Sequence, residues 1–249
     1  MNKPTNTLLR ILAISATTIV TGSAYGQVLL YSDSTTPTGG LFSSPGDWTV
    51  GNQVELAPTA VPTEVVNDVK FQFNVTSGTI PNLTGNETVQ LILYKNDGSA
   101  TPPSGALAPS TILFQSTAYS LTSLGITAST FLSNTQGLTL DFGSSDLGAG
   151  VTVPEDFTWA VKFGNVGANE SFGLSTYAPP TVGGNHGDAW VNTGSGWNLD
   201  VSDAGLPALE FGAQISTNVP DNGSTLMLLG SAITGLVGIS KLNRRSVRA

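Results

Sequence analysis

Apolar and polar side chains alternate without a break through Val69-Lys70-Phe71-Gln72-Phe73-Asn74-Val75. The same period of two returns in Leu138-Thr139-Leu140-Asp141-Phe142 and in Trp159-Ala160-Val161-Lys162-Phe163. Successive side chains of a strand point to opposite faces, so the pattern predicts strands with one buried and one wet face. Further strands are predicted over residues 28–31, 53–56, 89–94, 112–121, 171–176, 189–192 and 209–215. Turn-forming clusters separate them: Asn96-Asp97-Gly98-Ser99, Gly143-Ser144-Ser145-Asp146 and Gly183-Gly184-Asn185. Thr101-Pro102-Pro103-Ser104-Gly105 reads as a long surface loop. No helical period and no repeat of fixed length runs through this stretch. The fold class expected is all-β, a single antiparallel β-sandwich. Phe71, Phe73, Leu140, Phe142, Trp159, Val161 and Phe163 are expected inside one core.

The two ends follow other patterns. Lys3 and Arg10 flank a short apolar run at residues 11–20, and Ala24-Tyr25-Gly26 offers the small residues a signal peptidase reads. An apolar run of about 10 residues is half a bilayer span, which favours a cleaved signal over an anchor. Residues 1–26 are therefore expected to be a signal peptide. The C-terminus runs Val219-Pro220-Asp221-Asn222-Gly223-Ser224-Thr225, then an apolar helix at 226–240, then a basic tail at 241–249 with Lys241, Arg244 and Arg245. Those cations stop the helix on the cytoplasmic side. Gly230, Gly235 and Gly238 would let a partner helix approach closely.

This three-part tail resembles the PEP-CTERM family of bacterial sorting signals, in which an exosortase recognises a short motif and removes the hydrophobic helix. The likeness is to the variant with a Val-Pro-Asp-Ser-Gly signature, found in exopolysaccharide-producing Gram-negative bacteria. Val219, Pro220, Asp221, Gly223, Ser224 and Thr225 fit, and Asn222 stands where that variant carries a small hydroxyl residue. The second Pro of the parent Pro-Glu-Pro form is missing. The resemblance covers about 30 residues and implies sorting rather than an activity. It implies signal peptidase and exosortase as processing partners, a precursor tethered transiently to the inner membrane, and a cell-surface or matrix destination. An ordinary C-terminal membrane anchor is the competing reading. Residues 89–94, 157–163, 187–197 and 208–215 also resemble jelly-roll modules upstream of such tails, which carry no assigned activity.

Composition sharpens the picture. Of 249 residues only 10% are charged, and the chain has one His and no Cys. Disulfides, thiolate metal sites and a Cys nucleophile are excluded. Residues 27–218 keep only Lys70, Lys95 and Lys162 against 16 carboxylates, a net of −13. Such a surface repels nucleic acid. Added salt is expected to stabilise it modestly by screening.

Candidate chemistry is sparse. His186 is the only imidazole, and no Gly-x-Ser-x-Gly elbow accompanies it. The carboxylate pairs Asp141/Asp146, Glu155/Asp156 and Asp200/Asp203 read as solvated turn residues, because a glycosidase needs two carboxyls across a cleft. No cofactor is expected. If calcium binds, the oxygen-rich turns at Asp97 and Asp188 are the candidates. Trp190 and Trp197 flank a hairpin-like connection and are candidate stacking faces for a sugar. The chain is thus expected to be a non-enzymatic surface or matrix protein with a structural or adhesive role linked to exopolysaccharide. A carbohydrate-binding module and a secreted hydrolase are the alternatives.

Overall fold

The computed structural model describes residues 25–58, 62–76, 83–101, 106–132, 137–201 and 209–220. Of the signal expected over residues 1–26, residues 1–24 lie outside the described residues, as does the tail from Asp221 onward, while Tyr25 and Gly26 open the first strand. In chain order the strands are β1 (Tyr25–Asp33), β2 (Pro37–Pro45), β3 (Trp48–Glu55), β4 (Thr63–Val66), β5 (Asp68–Thr76), β6 (Thr88–Thr101), β7 (Ala106–Gln115) and β8 (Tyr119–Ser120). After a short helix α1 (Ala128–Leu132) come β9 (Leu138–Phe142), the one-turn helix α2 (Ser144–Leu147), β10 (Val151–Pro154) and β11 (Asp156–Gly164). The chain closes with β12 (Ser171–Tyr177), β13 (Gly184–Asn192), β14 (Trp197–Val201) and β15 (Ala213–Pro220). One sheet has the order β1-β15-β5-β12-β2, with β9 also on β5. The other has the order β14-β13-β3-β11-β6-β7, with β8 on β6, and β10 pairs separately with β4. The pairings are antiparallel, as strands with one wet face require.

The alternating segments do what their pattern dictates. Phe71, Phe73, Leu140, Phe142, Trp159, Val161 and Phe163 all lie in one buried cluster between the two large sheets. The rings form a continuous string: Phe142 packs on Phe71 at 5.7 Å, and Phe71 on Trp159 at 5.9 Å. Farther along, Phe163 contacts Phe73, Phe172 and Trp48 at 5.5–6.2 Å. Trp48 also donates its Nε1–H to the Phe172 carbonyl at 3.1 Å, tying the sheets together. Asn52, at a fully buried position of β3, ties that strand to the segment before β15. Its amide donates to the Leu209 carbonyl at 2.9 Å and accepts from the Phe211 N–H at 2.8 Å.

Several expectations need correction. Asn96-Asp97-Gly98-Ser99 is not a turn but a bulge within the long β6–β7 hairpin, where the register shifts between Asn96 and Ala100. Gly98 sits there because a Cβ would fall 2.8 Å from the Ala108 carbonyl. Gly184 and Asn185 belong to β13, also beside a register shift. The expected strand over 112–121 divides at Ser116, whose hydroxyl accepts the Leu91 N–H at 3.1 Å. Residues 216–219, beyond the last predicted strand, are sheet as well: Ser216 pairs with Asp68, and Ser216 and Thr217 are buried. Strands β2 and β4 escape the alternation pattern, and β10 and β14 lie outside the predicted strands although Val151–Val153 and Trp197–Val201 alternate, because runs of four or five residues give too short a period to stand out.

Loops are held by side chains. Buried Glu87 accepts the N–H groups of Thr84 and Gly85 at 2.7 and 2.8 Å and the Thr84 hydroxyl at 2.8 Å. Burial opposes its ionisation, but these donors outweigh it and lower the pKa. Lowering means the stabilisation is present above the ordinary Glu pKa and is lost as pH falls. Glu87→Gln is expected to cost about 1–3 kcal/mol at pH 7. Urea midpoints at pH 7 and pH 3 check this, with the difference shrinking at the lower pH.

Candidate functional site

Residues paired directly across antiparallel strands present their side chains on the same face. Trp159 and Val161 face the core, so Thr158, Ala160 and Lys162 of β11 face outward. Registers then place Thr49, Gly51 and Gln53 of β3, and Gln90, Ile92 and Tyr94 of β6, on that outer face. Trp190 pairs with Gly51, Asn192 with Thr49, and Trp197 with Asn192, which adds the β13–β14 hairpin. β14 approaches β7 from the far side, so the larger sheet curls over this face.

The curl builds a second, small apolar cluster of Ile92, Tyr94 and Ala160, with Trp197 packed against it. Trp197 meets Tyr94 edge-on, with ring centroids 5.3 Å apart. Beside it lies a groove of about 470 Å³, whose lining includes Tyr94, Ile112, Gln115, Lys162, Asn192 and Thr193. Ile112 is 51% exposed. The face therefore offers apolar and aromatic surface next to amides and hydroxyls.

At the other end of the same face sits a polar network around Asp156. Its Oδ1 accepts from the Gln53 and Asn96 amides, both at 2.8 Å, and Asn96 accepts from the Thr158 hydroxyl at 2.7 Å. His186 Nε2 lies 3.0 Å from Asp156 Oδ2. Burial raises the pKa of Asp156, but the bonds from His186, Gln53 and Asn96 outweigh it and hold the carboxyl ionised.

The residues singled out from sequence fare unequally. Trp190 is fully buried, so it has no face to offer a sugar, and its Nε1–H has no hydrogen-bond partner. Trp197 is half-buried and lies at the edge of the outer-face cluster. Asp97 is exposed and holds the β6–β7 bulge by accepting the Thr111 N–H at 3.0 Å and hydroxyl at 2.9 Å, with Lys95 at 3.6 Å. Asp188 lies on β13, separated from Asp97's strand by β3 and β11. The two are not brought together, and the described residues contain no group of three or more His, Cys, Asp or Glu placed to hold a metal ion. Asp141 pairs with Lys70 at 3.1 Å, and Asp146 accepts from Tyr119. Asp203 lies outside the described residues, as do Asp221, Asn222, Gly223, Ser224, Thr225, Lys241, Arg244 and Arg245. Val219, at the end of β15, is exposed.

Tyr94, Ile112, Gln115, Gln53 and Asn96 were not singled out from sequence. One signal was present. Leu91-Ile92-Leu93-Tyr94 breaks the alternation with four apolar residues in a row, which marks a strand covered on both faces.

Residues 218–245 match the VPDSG-CTERM motif, a PEP-CTERM-like C-terminal sorting signal. Such a motif marks an exported, surface-directed protein and implies processing by a sorting-protease-like enzyme. No curated protein and no solved structure matches the chain. Among the described residues no helix is long and apolar enough to cross a membrane.

Proposed function

We propose that this sorted protein is a non-catalytic surface or extracellular-matrix component that adheres to neutral polysaccharide through the outer face of its larger sheet. The groove beside Tyr94 and Trp197 carries the reading. Apolar ring surface suits the C–H faces of sugars, while Gln115, Asn192 and Thr193 supply hydroxyl-matching donors and acceptors. The net charge of −13 over residues 27–218 disfavours acidic polymers at long range. The same charge leaves neutral chains unaffected. A non-catalytic role is supported by Asp156, whose two oxygens are already engaged by Gln53, Asn96 and His186. Exosortase removal of the tail would then release the protein into a biofilm matrix.

Trp197→Ala is expected to weaken binding to neutral exopolysaccharide about 10-fold or more in affinity electrophoresis, about 1.4 kcal/mol. Equal migration of variant and wild type at matched folding removes the groove from the reading. Processing is checked separately by intact mass of native surface material, which is expected to lack most of residues 222–249. Material that retains Arg244 and Arg245 overturns exosortase processing.

A further inference from the structure

Away from the outer face, the end of β1 carries an acidic site that the adhesive reading does not use. Asp33 is 2% exposed and Glu210 6% exposed. Asp33 Oδ2 is buried with no hydrogen-bond partner. The Tyr31 hydroxyl hydrogen-bonds Asp33 and also accepts from the Asn185 amide at 3.3 Å. Tyr177 on β12 lies within electrostatic range of Asp33. The titratable groups that act on Asp33 are thus an acid and two phenols.

Among the described residues no lysine or arginine is left to serve these carboxylates. Residues 27–218 contain three lysines and no arginine. Lys70 is held by Asp68 and Asp141, Lys95 by Asp97, and Lys162 lines the outer-face groove. Two buried carboxylates must nevertheless be neutralised, because an uncompensated buried charge is among the costliest features a fold can hold. A proton or an external cation remains. The surrounding donors are all oxygens with one amide, a hard set that suits calcium rather than zinc or copper.

We infer that Asp33 and Glu210 form a calcium site, with Tyr31 beside it and water or backbone oxygens completing the shell. Two carboxylates balance the charge of one divalent ion, and the partnerless Asp33 Oδ2 gains its missing contact. An exported protein meets calcium at concentrations where weak extracellular sites fill. Occupancy would fasten β1 to the segment before β15. The elevated pKa of Asp33 agrees, since it reports a carboxyl whose counter-charge is missing.

The test uses the purified full-length chain and two metal probes. At pH 8 and constant ionic strength, calcium at about a hundredfold over its Kd is expected to raise Tm by about 5 °C or more. Magnesium or NaCl should not match this. At pH 5 the calcium effect should fade, because protons compete for the same oxygens. Terbium is expected to show luminescence sensitised by Tyr31, and Asp33→Asn and Glu210→Gln should each lower its affinity at least 10-fold. Asp33→Asn removes a buried charge without removing volume, so it should fold at least as well as wild type without metal. Equal effects of calcium and NaCl at pH 8 would overturn the proposal and leave the proton as counter-ion. Unchanged terbium affinity in Asp33→Asn would overturn it as well. Neither outcome bears on polysaccharide binding, which is read at Trp197.

Discussion

In chelator, the stability of this protein is expected to be greatest on the acid side of neutrality and to fall as pH rises from about 5 to 8. Burial and the nearby Glu210 carboxylate push the Asp33 pKa up to about 7. Burial raises Glu210 too. In the unfolded chain Asp33 ionises near its ordinary value of 3.8. Between these values the unfolded state gives up its proton while the folded state keeps it. The folded state then binds more protons, so stability declines with pH across that window. Below pH 4 both states are protonated and the effect vanishes. Above pH 8 the full penalty stands, on the order of 4 kcal/mol for Asp33. Glu87 and Asp156 act in the opposite sense, since their lowered pKa values withdraw stability in acid. Together they place the maximum near pH 5. Asp33→Asn should match wild type only below about pH 4, exceed it by about 1–2 kcal/mol at pH 5 and by several kcal/mol at pH 8, and flatten the profile. Urea melts across pH 4–8 measure this. A wild-type profile that rises towards pH 8, or an Asn variant that follows wild type in parallel, would refute it.

The second large effect is expected in the core. Trp159 is fully buried and stacks on Phe71, which stacks in turn on Phe142. It thus joins β11 of one sheet to β5 and β9 of the other. Without disulfides, this string of rings supplies much of what holds the two sheets together. Trp159→Ala is expected to cost about 3–5 kcal/mol, a large share of the roughly 5–15 kcal/mol that stabilises an ordinary fold. Trp159→Phe should cost clearly less. It leaves a smaller void and removes an indole N–H that is buried without a partner. Chemical denaturation of both variants checks the ranking, and an alanine variant as stable as the phenylalanine one would contradict the packing described.

Sequence was sufficient for the sandwich, its central strands and the sorting tail, and each for a local reason. Alternation at 69–75, 138–142 and 159–163 depends only on the geometry of a strand, so Phe71, Leu140 and Trp159 could be assigned to the core without knowing their partners. The tail is a linear signal, read as a motif, a helix and a charge cluster in order. Tertiary structure decided the rest, because it depends on which strands meet. Trp190 and Trp197 look alike in sequence, yet the curl of the larger sheet buries one and leaves the other at a groove. Asn96-Asp97-Gly98-Ser99 has turn residues that a paired β7 turns into a bulge. Asp33 and Glu210 are 177 positions apart and belong to no motif. Only the meeting of β1 with the segment before β15 buries them together, and a carboxylate's chemistry is set by what surrounds it rather than by its neighbours along the chain.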